Sequence, residues 1–172
     1  MKYYFFRIFV VVVLGFMAVS AGAQSLKFDE VVACINGSQY PNSVFELVES
    51  KGFMRVDKQW LASCDRVVYY LMKDGKPTMF VNPTNCYKLM RNSKYPVAYR
   101  NEMELQYQRS SRPEFEAMQT QIKKQCKFLG TRNGSESGEK MAGTTMAYKH
   151  EASGVTFVIE DAAPVAFIYV LR

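Results

Sequence analysis

Hydrophobic and polar positions along the chain follow two periods. Phe28, Val31, Val32 and Ile35 recur at helical spacing and mark FDEVVACING as a short helix, with Asp29 and Glu30 favourably placed in its first turn and Asn36-Gly37 stopping it. PNSVFELVESKGF repeats the pattern: Pro41 or Asn42 stands at the start, Val44, Leu47 and Val48 line the inner side, and Gly52 ends it. The period then drops to two. Phe53 to Val56 predicts a short strand, and Arg66 to Met72 and Thr78 to Asn82 predict two more, joined by Lys73-Asp74-Gly75-Lys76. Asp-Gly between β-rich runs signals a tight hairpin, because the turn needs positive φ. Folded about that turn, Val67, Tyr69 and Leu71 share a face with Met79 and Val81, while Arg66, Val68, Tyr70 and Phe80 share the other with Cys64 and Cys86.

Residues 87–112 begin irregularly and become a strand around Val97 to Gln108, where Met103, Leu105 and Tyr107 alternate with Glu102, Glu104, Gln106 and Gln108. Ser111 and Glu114 then form a capping-box pattern around Pro113, and Phe115, Met118 and Ile122 lay a stripe along a helix to about Gln125, with Cys126 continuing it inward. Cys126 to Arg132 predicts a strand, TRNGSESGEK a polar loop, and Thr144 to His150, Val155 to Glu160 and Val165 to Leu171 a meander. Each half therefore runs helix, short strand, hairpin, further strand. From Tyr70 and from Tyr148 the chain aligns without a gap, setting Thr78, Met79, Phe80 and Val81 on Thr156, Phe157, Val158 and Ile159. The predicted architecture is α+β: helices packed on a meandering antiparallel sheet, in two tandem units of a helix and four strands, residues 24–108 and 109–172, forming one compact body.

The N-terminal segment adds a destination. Lys2 and Arg7 precede an apolar run from Ile8 to Val19, which is followed by Ser20-Ala21-Gly22-Ala23. That order is the one of a secretory signal, and the run is short for a membrane span of about 20 residues. Cleavage is expected after Ala23, leaving a soluble chain exported to the periplasm or the extracellular space, with no membrane span. Of 22 Lys and Arg against 16 Asp and Glu, removal of residues 1–23 takes away two cations, so the mature charge is +4. This mild excess favours anionic partners weakly and lacks the dense basic stripe of a nucleic-acid binder.

All four cysteines fall in the exported part, and an even count in an oxidising compartment reads as two disulfides. Hairpin geometry brings Cys64 and Cys86 together, closing a loop of about 22 residues for roughly 3 kcal/mol, and leaves Cys34 for Cys126. No CxxC pair occurs and His150 is the sole histidine, so neither a metal site, a thioredoxin-type motif nor another cofactor is expected. Taken with the element order and repeat size, the cysteine-stapled exported chain resembles the β-lactamase inhibitory protein family, whose members are built from tandem helix-plus-four-strand repeats. Phe28-Asp29-Glu30 and Lys51-Gly52-Phe53 resemble, in addition, the opening of a class of small exported bacterial proteins with two short helices ahead of meandering strands. The resemblances imply a fold and transfer no functional residues.

Candidate chemistry is sparse. Nothing like GxSxG accompanies His150, and NGSESGEK lacks the GK[ST] ending of a phosphate loop. Carboxylate pairs occur at Glu102 with Glu104, at Glu114 with Glu116 and at Glu160-Asp161, each with an ordinary structural explanation. The most suggestive stretch interleaves Tyr87, Tyr95, Tyr99 and Tyr107 with Arg91 and Arg100, residue types enriched at binding hot spots. The expected function is noncatalytic binding of a protein in the envelope or outside the cell, as an inhibitor or immunity-type protein, with an anionic polymer as the second kind of partner. The alternatives are a small envelope hydrolase using carboxylates and a structural envelope protein.

Overall fold

A computed structural model describes residues 25–56, 68–84, 101–133 and 144–172. The chain is α+β, as the two periods predict. Helices α1 (Phe28–Asn36) and α2 (Asn42–Ser50) precede strands β1 (Met54–Val56), β2 (Val68–Lys73), β3 (Lys76–Thr84) and β4 (Glu102–Tyr107). A 3₁₀ turn (Arg109–Ser111) leads into helix α3 (Arg112–Gln125), which is followed by β5 (Lys127–Asn133), β6 (Thr144–His150), β7 (Val155–Ala162) and β8 (Val165–Leu171). All eight strands form one antiparallel sheet in the order β1-β2-β3-β4-β8-β7-β6-β5. The order reads symmetrically outward from the β4/β8 seam, where the final strands of the two halves pair.

The turn between β2 and β3 shows why its sequence folds this way. Lys73 pairs with Lys76, leaving Asp74 and Gly75 as a two-residue loop at φ +52° and +73°. Both central residues have the positive φ that matches the twist of the flanking strands. One irregularity follows: the β2/β3 register shifts between Leu71 and Met72. Across the sheet Leu71 faces Met79 and Tyr148 faces Phe157. Counted by pairing, Tyr148 therefore corresponds to Leu71 rather than to Tyr70. The gap-free alignment holds for β3 against β7 and is one residue out for β2 against β6, because the second turn leaves four residues between His150 and Val155 where the first leaves two between Lys73 and Lys76, and the bulge makes up one of them.

Alternate strand residues and the apolar stripes of the helices form a single buried cluster. It includes Val31, Ile35, Val44, Val48, Phe115 and Ile122 from the helices and Tyr69, Val81, Leu105, Phe157, Ile159 and Ile168 from the strands. The Phe28 ring stacks on Phe157 at 5.3 Å, Phe45 lies 5.7 Å from Tyr69, and Phe115 meets Tyr107 edge-on at 5.6 Å. Polar ties fix the helices against the seam. Asn101 Nδ2 donates to the Ile35 carbonyl at 2.8 Å, and the Tyr40 hydroxyl donates to the Glu102 carbonyl. Asn101 also exchanges both backbone bonds with Arg172, so the start of β4 is held from two sides.

The capping box expected at Ser111 and Glu114 is not formed. Ser111 Oγ instead donates to the Thr78 carbonyl at 2.5 Å, stitching the 3₁₀ turn to β3. The cap that does form lies at α1, where Glu30 Oε2 accepts the Lys27 backbone N–H at 2.9 Å and Oε1 pairs with Lys51 Nζ at 2.8 Å. The expected Cys34–Cys126 bridge is likewise absent: both residues are free, half-buried thiols. Cys34 is turned onto α2, its Sγ donating to the Ser43 carbonyl at 3.4 Å while Ser43 Oγ donates to the Cys34 carbonyl at 3.1 Å. Cys64 and Cys86, the other expected pair, lie outside the described residues.

Candidate binding face

Because successive strand residues point to opposite faces, the buried positions on one side define the other side by register. On that second face Met54, Tyr70, Phe80, Gln106, Phe167, Glu160 and Thr145 stand in one row across the sheet, each paired with the next. A neighbouring row runs Asn82, Glu104, Tyr169, Val158 and Ala147, and a third runs Glu102, Leu171, Thr156 and Lys149. Tyr70, Phe80, Phe167 and Tyr169 are each partly exposed, so an aromatic band crosses the seam of the sheet. The Phe167 and Tyr169 rings are parallel within 9°, with centroids 6.1 Å apart. They are two residues apart on one strand and stand side by side on the same face.

Gln106 stands between Phe80 and Phe167, and two buried polar groups lie beside the aromatic residues. Glu160 is 6 % exposed, directly across from Phe167, and its carboxylate forms no hydrogen bond or ion pair among the described residues. Asn82 is 5 % exposed, and its Oδ1 is buried without a hydrogen-bond partner. A buried acceptor left unpaired costs on the order of 1–3 kcal/mol, which a donor supplied from outside recovers.

The positions singled out in the sequence fall elsewhere. Tyr107 belongs to the core: it is 2 % exposed against Phe115, and burial first, then the charge of Glu114, holds its phenol well above the ordinary range. The strand alternation that buries Met103 and Leu105 buries Tyr107 with them, so it is not a binding-surface residue. Tyr87, Arg91, Tyr95, Tyr99 and Arg100 lie outside the described residues. Of the carboxylate pairs, Glu160 and Asp161 are adjacent on β7 and point to opposite faces. Asp161 faces α3, where Arg112 grips it through two 2.6 Å bonds, and Glu116 accepts from Arg112 at 3.0 Å. That pairing, outweighing a smaller opposing push from burial, holds the Asp161 carboxyl below its ordinary value. His150 Nδ1 lies 2.7 Å from Ser153 Oγ, but that oxygen also accepts the Val155 N–H within the β6/β7 turn, so the pair serves as a turn brace. Among the described residues no cluster of three His, Cys, Asp or Glu side chains is placed to hold a metal ion.

The face residues on β8 were missed in the sequence for a definable reason. VAFIYVL is apolar at every position, so no alternation separates Phe167 and Tyr169 from Ala166, Ile168 and Val170. Compared with protein-family models, with curated proteins and with solved structures, the chain finds no match.

Proposed function

We propose that the protein is a noncatalytic binding module that holds a protein partner on the sheet face bearing Tyr70, Phe80, Phe167 and Tyr169. The observation that carries this reading is the group of partly exposed aromatic side chains on β2, β3 and β8, opposite the buried core and in rows that cross seven paired strands. Tyrosine and phenylalanine on a stiff sheet offer large contact area at little entropic cost, since their backbone is already fixed. Size points the same way. Six strand spacings of about 4.8 Å and three rows of about 7 Å give a face of roughly 600 Å², approaching the ~800 Å² that each partner contributes to a standard protein interface.

The same proposal places the protein outside the cytoplasm, with residues 1–23 acting as the export signal and Cys64 with Cys86 closing the first hairpin. In support of that staple, Tyr69 pairs with Val81, and positions 64 and 86 are each five residues further outward. Among the described residues no helix is long and apolar enough to cross a membrane. An inhibitor or immunity-type role fits a module of this kind.

The test is site-specific photo-crosslinking in the source cell's envelope fraction. A photoreactive residue at Phe167 is expected to capture a discrete partner, whereas the same group at Thr120, exposed on α3, is not. Equal labelling from both sites, or none from Phe167, overturns the proposal.

A further inference from the structure

Apart from the aromatic face, the sheet has an open edge, and we propose that this edge, strand β5, receives an extended acidic segment of a partner protein that pairs with it as an added strand. Strand β5 ends the sheet order, and β6 is its one paired neighbour among the described residues. In an antiparallel ladder alternate residues turn their N–H and C=O groups to one side, so about half of the residues of Lys127–Asn133 direct theirs away from β6. Among the described residues no other backbone group meets them. Such an edge is a template for a further strand. The opposite edge, β1, is three residues long and offers less to pair with.

Side chains at this edge are apolar and open. Phe128 and Leu129 are 52 % and 53 % exposed; with Met54 on β1 they are the large apolar side chains that stand exposed among the described residues, and all three lie on the two edge strands. Phe128 is in register with Tyr148 and therefore lies on the core side of the sheet, its ring 5.2 Å from the tyrosine ring. Leu129 is the extra residue of the irregularity between Phe128 and Gly130. Half the surface of each remains for an incoming strand to cover.

Charge decides which strand. On the other side of the sheet Lys127 stands directly opposite Lys149, which is unfavourable without a counter-charge. Glu151 reaches Lys127 at 3.6 Å, a solvent-exposed pair of little strength, and Lys149 is exposed with no ion pair among the described residues. Arg132 falls on the same side by register, opposite Thr145, and the next carboxylate in that row, Glu160, is buried. The edge is therefore basic. A second copy of the chain would bring Lys127 and Arg132 against their own kind, so the edge selects against pairing with itself. A strand that alternates carboxylates with apolar residues answers both sides: carboxylates beside Lys127 and Lys149, apolar side chains over Phe128. At about 3.3 Å per residue, pairing along the whole of β5 takes a segment of about seven residues.

The test titrates three acetylated, amidated heptapeptides, EVEVEVE, KVKVKVK and EVEPEVE, into the ¹⁵N-labelled mature chain. EVEVEVE is expected to shift the amides of β5 and slow their exchange with solvent, and KVKVKVK to do neither. EVEPEVE loses an N–H and its strand geometry, so it should bind about tenfold more weakly. K149E should weaken EVEVEVE about fivefold at low salt and admit KVKVKVK, and L129E should weaken EVEVEVE by a similar factor. Both positions are exposed, so neither change should move the unfolding midpoint by more than about 2 °C. Equal binding of the acidic and basic peptides, shifts confined to other elements, or no binding at millimolar peptide overturns the inference. So does a free chain that sediments as a dimer and becomes a monomer in L129E, since a second copy would then be the occupant. Crosslinking from Phe167 reads the face and stands or falls separately.

Discussion

Phe157 and Phe167 offer a direct test of the two-faced sheet, because they occupy neighbouring strands and point in opposite directions. Phe157 is fully buried, stacked on Phe28 at 5.3 Å and paired across the ladder with Val170. Truncating such a ring to alanine removes its transfer energy and leaves a cavity, costing about 3–5 kcal/mol. In a domain of this size each kcal/mol moves the midpoint by about 2–4 °C, so F157A should lower Tm by roughly 12 °C. Phe167 is partly exposed and its ring neighbour is Tyr169, on the same strand and the same face. F167A loses part of its buried area and one aromatic contact, about 1–1.5 kcal/mol, or roughly 4 °C. Both changes put alanine in a strand, so the loss of β-propensity is common to the two and cancels in the comparison. Thermal unfolding followed by circular dichroism, backed by urea midpoints, measures the difference. Because a one-residue slip of β8 would exchange its two faces, equal losses, or a larger loss for F167A, would refute the register and with it the binding face.

Three further outcomes follow from particular contacts. Gly154 has φ +73°, and a Cβ there would meet Arg172 Nη1 at 2.7 Å, whereas Gly75 has the same φ and open space; G75A should cost about 1–2 kcal/mol of backbone strain alone, and G154A more by the displacement of Arg172, read from paired urea midpoints. Burial raises the Glu30 carboxyl, but its bond to Lys51, the Lys27 N–H and the charges of both lysines outweigh that and leave it below its ordinary value. Its contribution is therefore present above the unfolded carboxylate range and lost as pH falls through the folded value, so E30Q should flatten the stability profile between about pH 5 and pH 3. Burial pushes the Cys126 thiol up to about 11 and raises Cys34 as well, so both should alkylate slowly at pH 8 in the native chain and rapidly in urea, without reductant. Failure to label either thiol in unreduced, unfolded protein would show that both are oxidised and contradict the free-thiol arrangement.

Much of the fold was legible because several local signals agreed. Asp74-Gly75 fixed the first hairpin, Gly52 stopped the second helix at φ +82°, and the stripe Phe115, Met118, Ile122 is buried as its spacing requires. Where the reading failed, one local signal had two possible uses. Ser111 followed by Glu114 is a capping pattern, but its hydroxyl is spent on the Thr78 carbonyl, a partner 33 residues away that no local window contains. Cys126 does continue the inward stripe, yet facing inward does not supply a bonding partner, and Cys34 is held by Ser43, nine residues on. The slip in the internal alignment has a similar origin: the two turns differ by two residues and the irregularity between Leu71 and Met72 makes up one, a difference in pairing that the composition of the strands does not carry.

The face proposed for binding was the least legible part, and the reason bears on that proposal. In β4 the polar residues Glu102, Glu104 and Gln106 alternate with Met103, Leu105 and Tyr107, so the sequence itself separates the core side from the other. Its partner across the seam, β8, is apolar on both sides, as is usual for a strand covered on both faces. One side of β8 is covered: Ile168 and Val170 are in the core. On the other side Phe167 and Tyr169 remain partly exposed, beside Val158 on β7 and across from Phe80 by way of Gln106. A chain under no demand on that side would gain solubility from polar residues there, as β4 shows at its own positions. Partly exposed aromatic side chains grouped near the centre of a sheet among polar residues are compatible with a surface that meets another molecule. Leu171 is already buried on that side, so the pattern that hid these residues from a sequence reading, a strand apolar on both faces, is an argument that Phe167 and Tyr169, too, are covered in use.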